Sequence, residues 1–227
     1  MNFDRMTALL VRLAALARRI APWPVGVISA LRATWTRQGY FVTTGQLRSM
    51  AIGRPVDRSG APLPLLTYGM IDLLAERLDP TMRVFEYGSG SSTRFFAERV
   101  DRVISVEHDP AWVDMVRASV GTHVSVMHVP ADTDGDYCRA IERTDGAFDI
   151  VLVDGRDRVN CAIRASSHLT ARGVVIIDDT DRPRYQPAIT ALVEQGFRRL
   201  DLRGLRPTGV RNTTTTLLYR PGNCLGI

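Results

Sequence analysis

The sequence has 227 residues and a mass of 25.2 kDa, which suits one globular domain with a sizeable core and is too short for two ordinary domains. Its 45% apolar and 23% charged residues are typical of globular proteins, so wholesale disorder, collagen and coiled coil are excluded. All 29 basic residues are Arg, because the chain contains no lysine. This excludes a Schiff-base lysine, a P-loop lysine and a lysine general base.

Positive charge is concentrated near the N-terminus. Residues 1–60 carry nine Arg and two Asp, a balance of +7, so the remaining residues contribute −2 to the total of +5. This distribution favours an anionic surface or partner for the first part of the chain. The sequence therefore predicts a basic amphipathic helical arm with a linker over 1–60, followed by one domain over 61–227.

The arm begins with a predicted helix at 5–20, in which apolar residues recur at helical spacing. Arg5, Arg12 and Arg19 lie seven residues apart along one flank of that apolar stripe, and a second short helix is predicted at 25–37. The apolar face could pack on this domain or on a second copy in a homo-oligomer, lie on an anionic membrane surface, or bind a specific partner. The sequence leaves these three interpretations open.

The location of the protein follows from what the sequence does not contain. No apolar run reaches the roughly 18 residues needed to span a bilayer. No signal peptide is evident, since three arginines interrupt the stretch 8–20. The three cysteines, Cys138, Cys161 and Cys224, are an odd number without metal-ligand spacing, which disfavours a disulfide framework or a zinc site. We expect a cytoplasmic protein, with peripheral membrane contact through 5–20 as the open alternative.

A Pro/Gly-rich link at 52–64 and a helix at 66–78 precede a strict alternation of short apolar strands and helices. The predicted series is strand 83–87, helix 92–99, strand 102–107, helix 110–119, strands 124–129 and 148–153, helix 158–169, strand 173–178, helix 186–195, and a hairpin at 197–203 and 213–220. In the helix at 110–119 we expect Trp112, Val113 and Val116 to be core residues. The alternation predicts an α/β fold: a doubly wound, mostly parallel Rossmann-like sheet with a C-terminal antiparallel hairpin.

A glycine turn follows the first strand of this series and opens the next helix. Gly88 and Gly90 permit positive φ and let a ligand approach the backbone closely, and Ser92 offers a hydroxyl at the start of the helix. Glu107 ends the following strand, at an offset where an acid can accept hydrogen bonds from both ribose hydroxyls of a nucleoside. Together these residues indicate a nucleoside-containing ligand.

The pattern Glu86-x-Gly88-x-Gly90-x-Ser92 resembles motif I of the class I S-adenosylmethionine (SAM)-dependent methyltransferases. The strand–helix series from the first strand to about residue 200 also follows that family's order. The resemblance implies that the motif I acid and the glycines face the methionine part of SAM, with Ser92 beside them.

Two further acids belong to the cofactor site that the resemblance implies. Glu107 would hold the ribose, and Asp132, which follows the third strand, would lie near the adenine amino group. The turn residues around Asp132 fit an ordinary solvated loop nearly as well.

Acidic residues also end the fourth and fifth strands: Asp154 follows 148–153, and Asp178 and Asp179 come at the end of the next strand. Because ligands of open parallel sheets bind beyond the carboxyl ends of the strands, we expect these acids to line the cleft. In one interpretation all three bind a divalent cation such as Mg²⁺, which acidifies a substrate hydroxyl. This is similar to the catechol-type O-methyltransferases, in which the third ligand is usually an asparagine.

Two other interpretations of these acids stay open. Asp154 or Asp179 acts as a general base without a metal, with Arg156 or Arg182 balancing its charge. Alternatively the acids only cap turns, with Asp179 or Asp181 capping the helix that begins near residue 183.

We expect a SAM-dependent methyltransferase that modifies an oxygen of a small-molecule or glycan acceptor. The Asn/Asp-Pro-Pro-aromatic motif of amino-directed DNA and RNA methyltransferases is absent, and the 7% aromatic content disfavours nucleic acid as the acceptor. The alternatives are a nicotinamide-dependent oxidoreductase or an aminopropyltransferase-like enzyme on a related fold, and a non-catalytic nucleoside-binding or scaffold protein with a membrane-surface arm.

Overall fold

The computed structural model describes residues 3–227, without the side chains of 3–10, 33 and 35. The arm consists of two helices, α1 (Phe3–Ile20) and α2 (Pro22–Trp35). The two prolines after α1 do not simply end it. They lie in the first turn of α2, where a missing N–H costs no helical hydrogen bond. Helix α2 therefore starts three residues earlier than predicted.

Two short helices follow the arm, within a segment (38–65) in which the sequence predicts loops rather than helices. They are α3 (Tyr40–Thr43) and α4 (Gln46–Ile52). Helix α4 begins and ends at glycines in the left-handed conformation. The division of the chain between residues 60 and 61 stays a prediction.

The rest of the chain confirms the predicted α/β series to within a few residues at most boundaries. Its elements are α5 (Tyr68–Arg77), β1 (Arg83–Tyr87), α6 (Ser91–Ala97), β2 (Arg102–Glu107), α7 (Pro110–Arg117), β3 (Val124–His128), β4 (Phe148–Val153), α8 (Arg158–Ala165), β5 (Leu169–Ile177), α9 (Gln186–Glu194), β6 (Arg198–Gly204) and β7 (Thr213–Tyr219). The largest difference lies between α8 and β5. The predicted helix at 158–169 ends at Ala165, and β5 begins at Leu169 after a short 3-10 turn.

The seven strands form one sheet in the order β3-β2-β1-β4-β5-β7-β6. The first five are parallel, whereas β7 pairs antiparallel with both β5 and β6. This confirms a doubly wound, mostly parallel Rossmann-like sheet with a C-terminal antiparallel hairpin. The strand order reverses between β1 and β4, and in open α/β sheets such a switch point forms the ligand-binding crevice.

Strand β1 is buried on both of its faces. Phe85 and Tyr87 pack into one core cluster, beneath α8 and α9. Val84 belongs to the second cluster, with Phe95 and Phe96 of α6. Because side chains alternate along a strand, Glu86 points to the same side as Val84. An acidic side chain is thereby placed inside a hydrophobic layer.

Candidate active site

The loop between β1 and α6 lies at the switch point. Gly88 has a φ of +95°, a conformation that strains any residue with a Cβ. A Cβ on Gly88 would lie 3.1 Å from the Cα of Gly155, so the ends of β1 and β4 meet through their glycines. The N–H of Gly88 donates to the carbonyl of Val106 at 2.8 Å and fixes the loop to β2. The glycine turn therefore opens where a ligand of this fold would bind.

Glu86 precedes this loop and is fully buried. Among the described residues, no group forms a hydrogen bond with either of its carboxylate oxygens. Burial raises the pKa of Glu86 to about 7, although the nearby hydroxyls of Thr93 and Ser92 lower it. A buried carboxylate without donors is costly, and a ligand ammonium group would remove that cost. Glu86 therefore fits the amino group of the methionine part of SAM.

Glu107, at the end of β2, is bound to the glycine loop. Its Oε2 accepts the N–H of Ser89 at 3.0 Å, and its Oε1 accepts those of His108 at 2.8 Å and Asp109 at 3.1 Å. The His108 Nδ1 also contacts Oε1, while its Nε2 accepts a hydrogen bond from Arg156. From the residues that the structure describes, Oε2 accepts a single hydrogen bond, which leaves a lone pair for a ribose hydroxyl. The ribose contact itself stays a prediction.

The expectation that Trp112 is a core residue was wrong. Its side chain is 44% exposed, whereas Val113 and Val116 are buried as expected. Adjacent helical positions point about 100° apart, so Trp112 turns from the core toward the glycine loop. There its indole N–H donates to the carbonyl of Ser89 at 2.7 Å, and the ring faces Gly90. No signal in the sequence indicates this contact.

Asp132 lies in the exposed loop after β3. Its carboxylate accepts the N–H groups of Asp136 at 2.7 Å and Tyr137 at 3.1 Å. These contacts organise the loop itself and agree with the solvated-loop interpretation. The adenine contact stays a prediction.

The structure brings Asp154, Asp178 and Asp179 together beyond the ends of β4 and β5. One oxygen from each lies within 4.8 Å of the others. Burial raises the pKa of both Asp154 and Asp178, and the charge of Asp154 raises the pKa of Asp178 further. Neighbouring carboxylates of this kind share protons near neutral pH. The cluster can therefore accept a proton from a substrate.

Three guanidinium groups surround the cluster. Arg158 lies 2.8 Å from Asp154, while Arg182 and Arg206 lie 2.8 Å and 3.3 Å from Asp179. Three positive charges thus balance three carboxylates, and a divalent cation would bring further positive charge beside the guanidiniums. The residues fit a metal-free polar site better than an Mg²⁺ site, and the magnesium ion stays a prediction.

Two of these arginines were missed in the sequence. Arg158 and Arg206 contact the acids, together with the expected Arg182, whereas Arg156 donates instead to His108. Arg158 could have been recognised as a partner of Asp154, because it comes four residues later in the chain. Arg206 comes from a loop between β6 and β7 and has no local signal.

The threonines at the start of β7 also contact the acids. The Thr213 hydroxyl donates to Asp179 and Asp181, and the Thr215 hydroxyl donates to Asp178 at 2.7 Å. Asp181 also accepts the N–H of Thr214. Neither Asp179 nor Asp181 caps the helical turn near residue 183, so that part of the capping interpretation was wrong. These side chains fasten the acids to β7, which lies next to β5 in the sheet.

Asp179 adopts a φ of +57°, in the left-handed region that non-glycine residues rarely occupy. Such strain persists where surrounding contacts hold the residue in place, and here three arginines and Thr213 do so. Beside Asp179 lies a cavity of about 450 Å³, which is also lined by Arg182, Arg206 and residues 208–213. Its size suits a small molecule or a sugar.

No protein-family model matches the chain, and no curated protein matches its sequence. Solved structures are nevertheless similar. A precorrin-6y C5,15-methyltransferase from Geobacter metallireducens superposes with a TM-score of 0.53 and 15% identity, over 69% of this chain and 92% of its own. A methyltransferase from Pyrococcus furiosus superposes with a TM-score of 0.50 and 15% identity, over 81% of this chain and 97% of its own. An rRNA methylase from Streptococcus thermophilus superposes with a TM-score of 0.50 and 12% identity, over 66% of this chain and 92% of its own.

At these identities the similarity shows the fold alone. The chain has the Rossmann-like α/β fold of class I SAM-dependent methyltransferases, as the motif I resemblance implied. The names of the similar proteins refer to acceptors as different as a precorrin and an rRNA. The fold therefore does not identify an acceptor, which has to be argued from the site.

Proposed function

We propose that this chain is a SAM-dependent methyltransferase that transfers a methyl group to an oxygen of a small-molecule or glycan acceptor. The observation that supports this most strongly is the two-sided site at the switch point. On one side, the Gly88 loop directly follows Glu86, whose buried carboxylate accepts no hydrogen bond from the described residues. On the other side, Asp154 and Asp178 have raised pKa values. One half suits a cationic nucleoside and the other suits proton transfer.

The cofactor half comprises the motif I residues and the acid after β2. Glu86 would bind the amino group of SAM, Gly88 and Gly90 would let its methionine part approach the backbone, and Glu107 would bind the ribose. Ser92 and Asp132 are assigned to this half by the family resemblance. When bound, SAM supplies an electrophilic methyl group on a sulfonium ion.

The acceptor half points to Asp154 as the base. The Asp179 side chain is 7% exposed and already contacts three arginines and Thr213. The Asp154 side chain is 28% exposed, and within the described part of the chain it forms an ion pair with Arg158 alone. Its raised pKa lets it take a proton near neutral pH. Asp179 instead holds Arg182 and Arg206 at the wall of the cavity.

Methyl transfer from SAM to a hydroxyl requires only SAM, the acceptor and Asp154 as the proton acceptor. With SAM bound, an acceptor oxygen would take the methyl group as the S–CH₃ bond breaks, and Asp154 would take the proton that the hydroxyl loses. Most of the rate would come from holding the oxygen near 3 Å from the methyl carbon. Proton acceptance by Asp154 would add about 10²–10⁴-fold.

The test uses SAM labelled in the methyl group and a panel of phenols, catechols and sugars, each paired with its O-methylated counterpart. We expect label transfer to at least one free hydroxyl and none to its blocked partner, with equal rates in the presence and absence of EDTA. An RNA and a primary amine are assayed alongside, and label in either of them but in none of the hydroxyl compounds would contradict the oxygen acceptor. Loss of transfer in EDTA, restored by Mg²⁺, would establish the metal site instead.

A further inference from the structure

The N-terminal arm presents large apolar side chains to solvent. In α1, Leu13, Leu16 and Ile20 are 52%, 53% and 74% exposed, and in α2, Trp23 and Leu31 are 83% and 53% exposed. From residue 11 to residue 20 every side chain is exposed, so this part of α1 does not pack on the domain. Contiguous exposed apolar surface of this kind marks an interaction site.

The same arm carries positive charge without compensation. Residues 5–56 contain eight Arg and neither Asp nor Glu. Within the described side chains of α1 and α2, which begin at residue 11, no arginine forms an ion pair. The unneutralised charge therefore lies on the two helices that expose apolar side chains.

We infer that α1 and α2 bind the surface of an anionic lipid membrane. The apolar side chains would enter the boundary between headgroups and acyl chains, and the arginines beside them would reach the lipid phosphates. Trp23 lies in the first turn of α2, close to the end of α1, and tryptophan favours the membrane interface. In the described part of the chain no helix is both long and apolar enough to cross a membrane, so the arm would lie on the surface.

The charge of the arm favours a lipid membrane over a second copy of the chain or a nucleic acid. A second copy packed arm against arm would oppose two segments of +8 each, which repel one another. A nucleic acid would neutralise the arginines but would leave Leu13, Leu16 and Leu31 in water. An anionic bilayer satisfies both the charge and the apolar surface.

The inference also bears on the candidate active site, although it stands without the proposed function. Helix α4 follows the arm, and the side-chain amide of Gln46 donates to the carbonyl of Gly209 at 2.7 Å. Gly209 lines the cavity beside Asp179. The surface that binds lipid would therefore be joined to the wall of the acceptor cavity.

The test is flotation of the full chain with vesicles of phosphatidylcholine alone or with 30% phosphatidylglycerol. We expect binding to the anionic vesicles only, weakening steeply as salt is raised. Leu16→Glu/Leu31→Glu should weaken it at least tenfold, whereas Met115→Glu/Val193→Glu, at comparably exposed apolar positions outside the arm, should not. Arg12→Gln/Arg19→Gln should weaken it about tenfold or more, while Arg102→Gln/Arg198→Gln should have little effect.

Three outcomes would overturn the inference. The first is absent binding, or equal binding to neutral and anionic vesicles. The second is a dimer in sedimentation velocity that Leu16→Glu/Leu31→Glu dissociates, without vesicle binding, which would assign the face to a second copy. The third is tight binding of an oligonucleotide that needs Arg12 and Arg19 but not Leu16 and Leu31, again without vesicle binding.

Discussion

The two halves of the candidate site are built in opposite ways. The proposed cofactor half comes from one continuous stretch, in which β1, the glycine turn, α6 and β2 follow one another, and its acid Glu86 accepts no hydrogen bond from the described residues. In the acceptor half, the two acids that follow β5 contact Arg206 and two threonines of the distant 206–215 segment, while the acid that follows β4 pairs with Arg158. The contrast indicates that the first half is prepared for a charged ligand, whereas the second holds its own charges in balance until a proton moves.

The largest expected effect separates the halves directly. Asp154→Asn removes the proposed base, so we expect kcat to fall by about 10²–10⁴-fold. The dissociation constant of S-adenosylhomocysteine should change little, since Asp154 belongs to the acceptor half. Methyl-transfer kinetics and calorimetry measure the two effects, with Asp101→Asn as the exposed control. Equal losses of turnover and cofactor affinity would move Asp154 to the cofactor half.

The second prediction concerns pH and the unpartnered acid. The folded pKa of Glu86 is raised from 4.5 to about 7, so between these values the folded protein keeps a proton that the unfolded chain loses. The free energy of unfolding should therefore decrease as pH rises through this window, by roughly 3 kcal/mol for this group. Glu86→Gln should abolish that part of the decrease, as measured by urea unfolding at pH 4.5 and 7.5. An unchanged pH dependence would show that Glu86 is ionised in the fold.

The third prediction tests the link between the glycine loop and β2. Glu107→Ala removes a carboxylate that accepts three backbone N–H groups. We expect the affinity for S-adenosylhomocysteine to fall at least tenfold, because hydrogen bonds to a charged group contribute roughly 1.5–3 kcal/mol. Calorimetry measures the loss, with Glu98→Ala on the surface as the control. Unchanged affinity would remove the ribose role from Glu107.

The smallest effect concerns the attachment of the acceptor half to β7. Thr215→Val deletes the hydroxyl that donates to Asp178, a hydrogen bond that lowers the pKa of this acid. We expect the pKa of Asp178 to rise and stability to fall by about 1 kcal/mol. Because Asp178 and Asp154 are close enough to share protons, the acid limb of the rate profile should shift as well. Thr214→Val is the control, because its hydroxyl donates to none of the three acids. Identical pH profiles for the two variants would show that Thr215 has no influence on proton transfer.

The sequence predicted the cofactor half of the site better than the acceptor half. The glycine turn, Glu107 and the sheet could be predicted because strand, turn and helix signals are local and the residues are near neighbours in the chain. Arg206 and Thr215 could not, since only the pairing of β7 with β5 brings them to the acids. Trp112 was misplaced because helical spacing fixes a position on the helix but does not reveal that the indole N–H has a partner at Ser89.

The most direct test of the account is a calorimetric titration of the folded chain with S-adenosylhomocysteine, which requires no acceptor. We predict one site per chain with micromolar affinity, and an affinity that rises as pH increases through about 7, where Glu86 ionises. Absence of binding to the folded protein would contradict the methyltransferase proposal. The Rossmann-like fold would then bind a different ligand. Lipid binding by the arm is tested separately, by the vesicle flotation experiment.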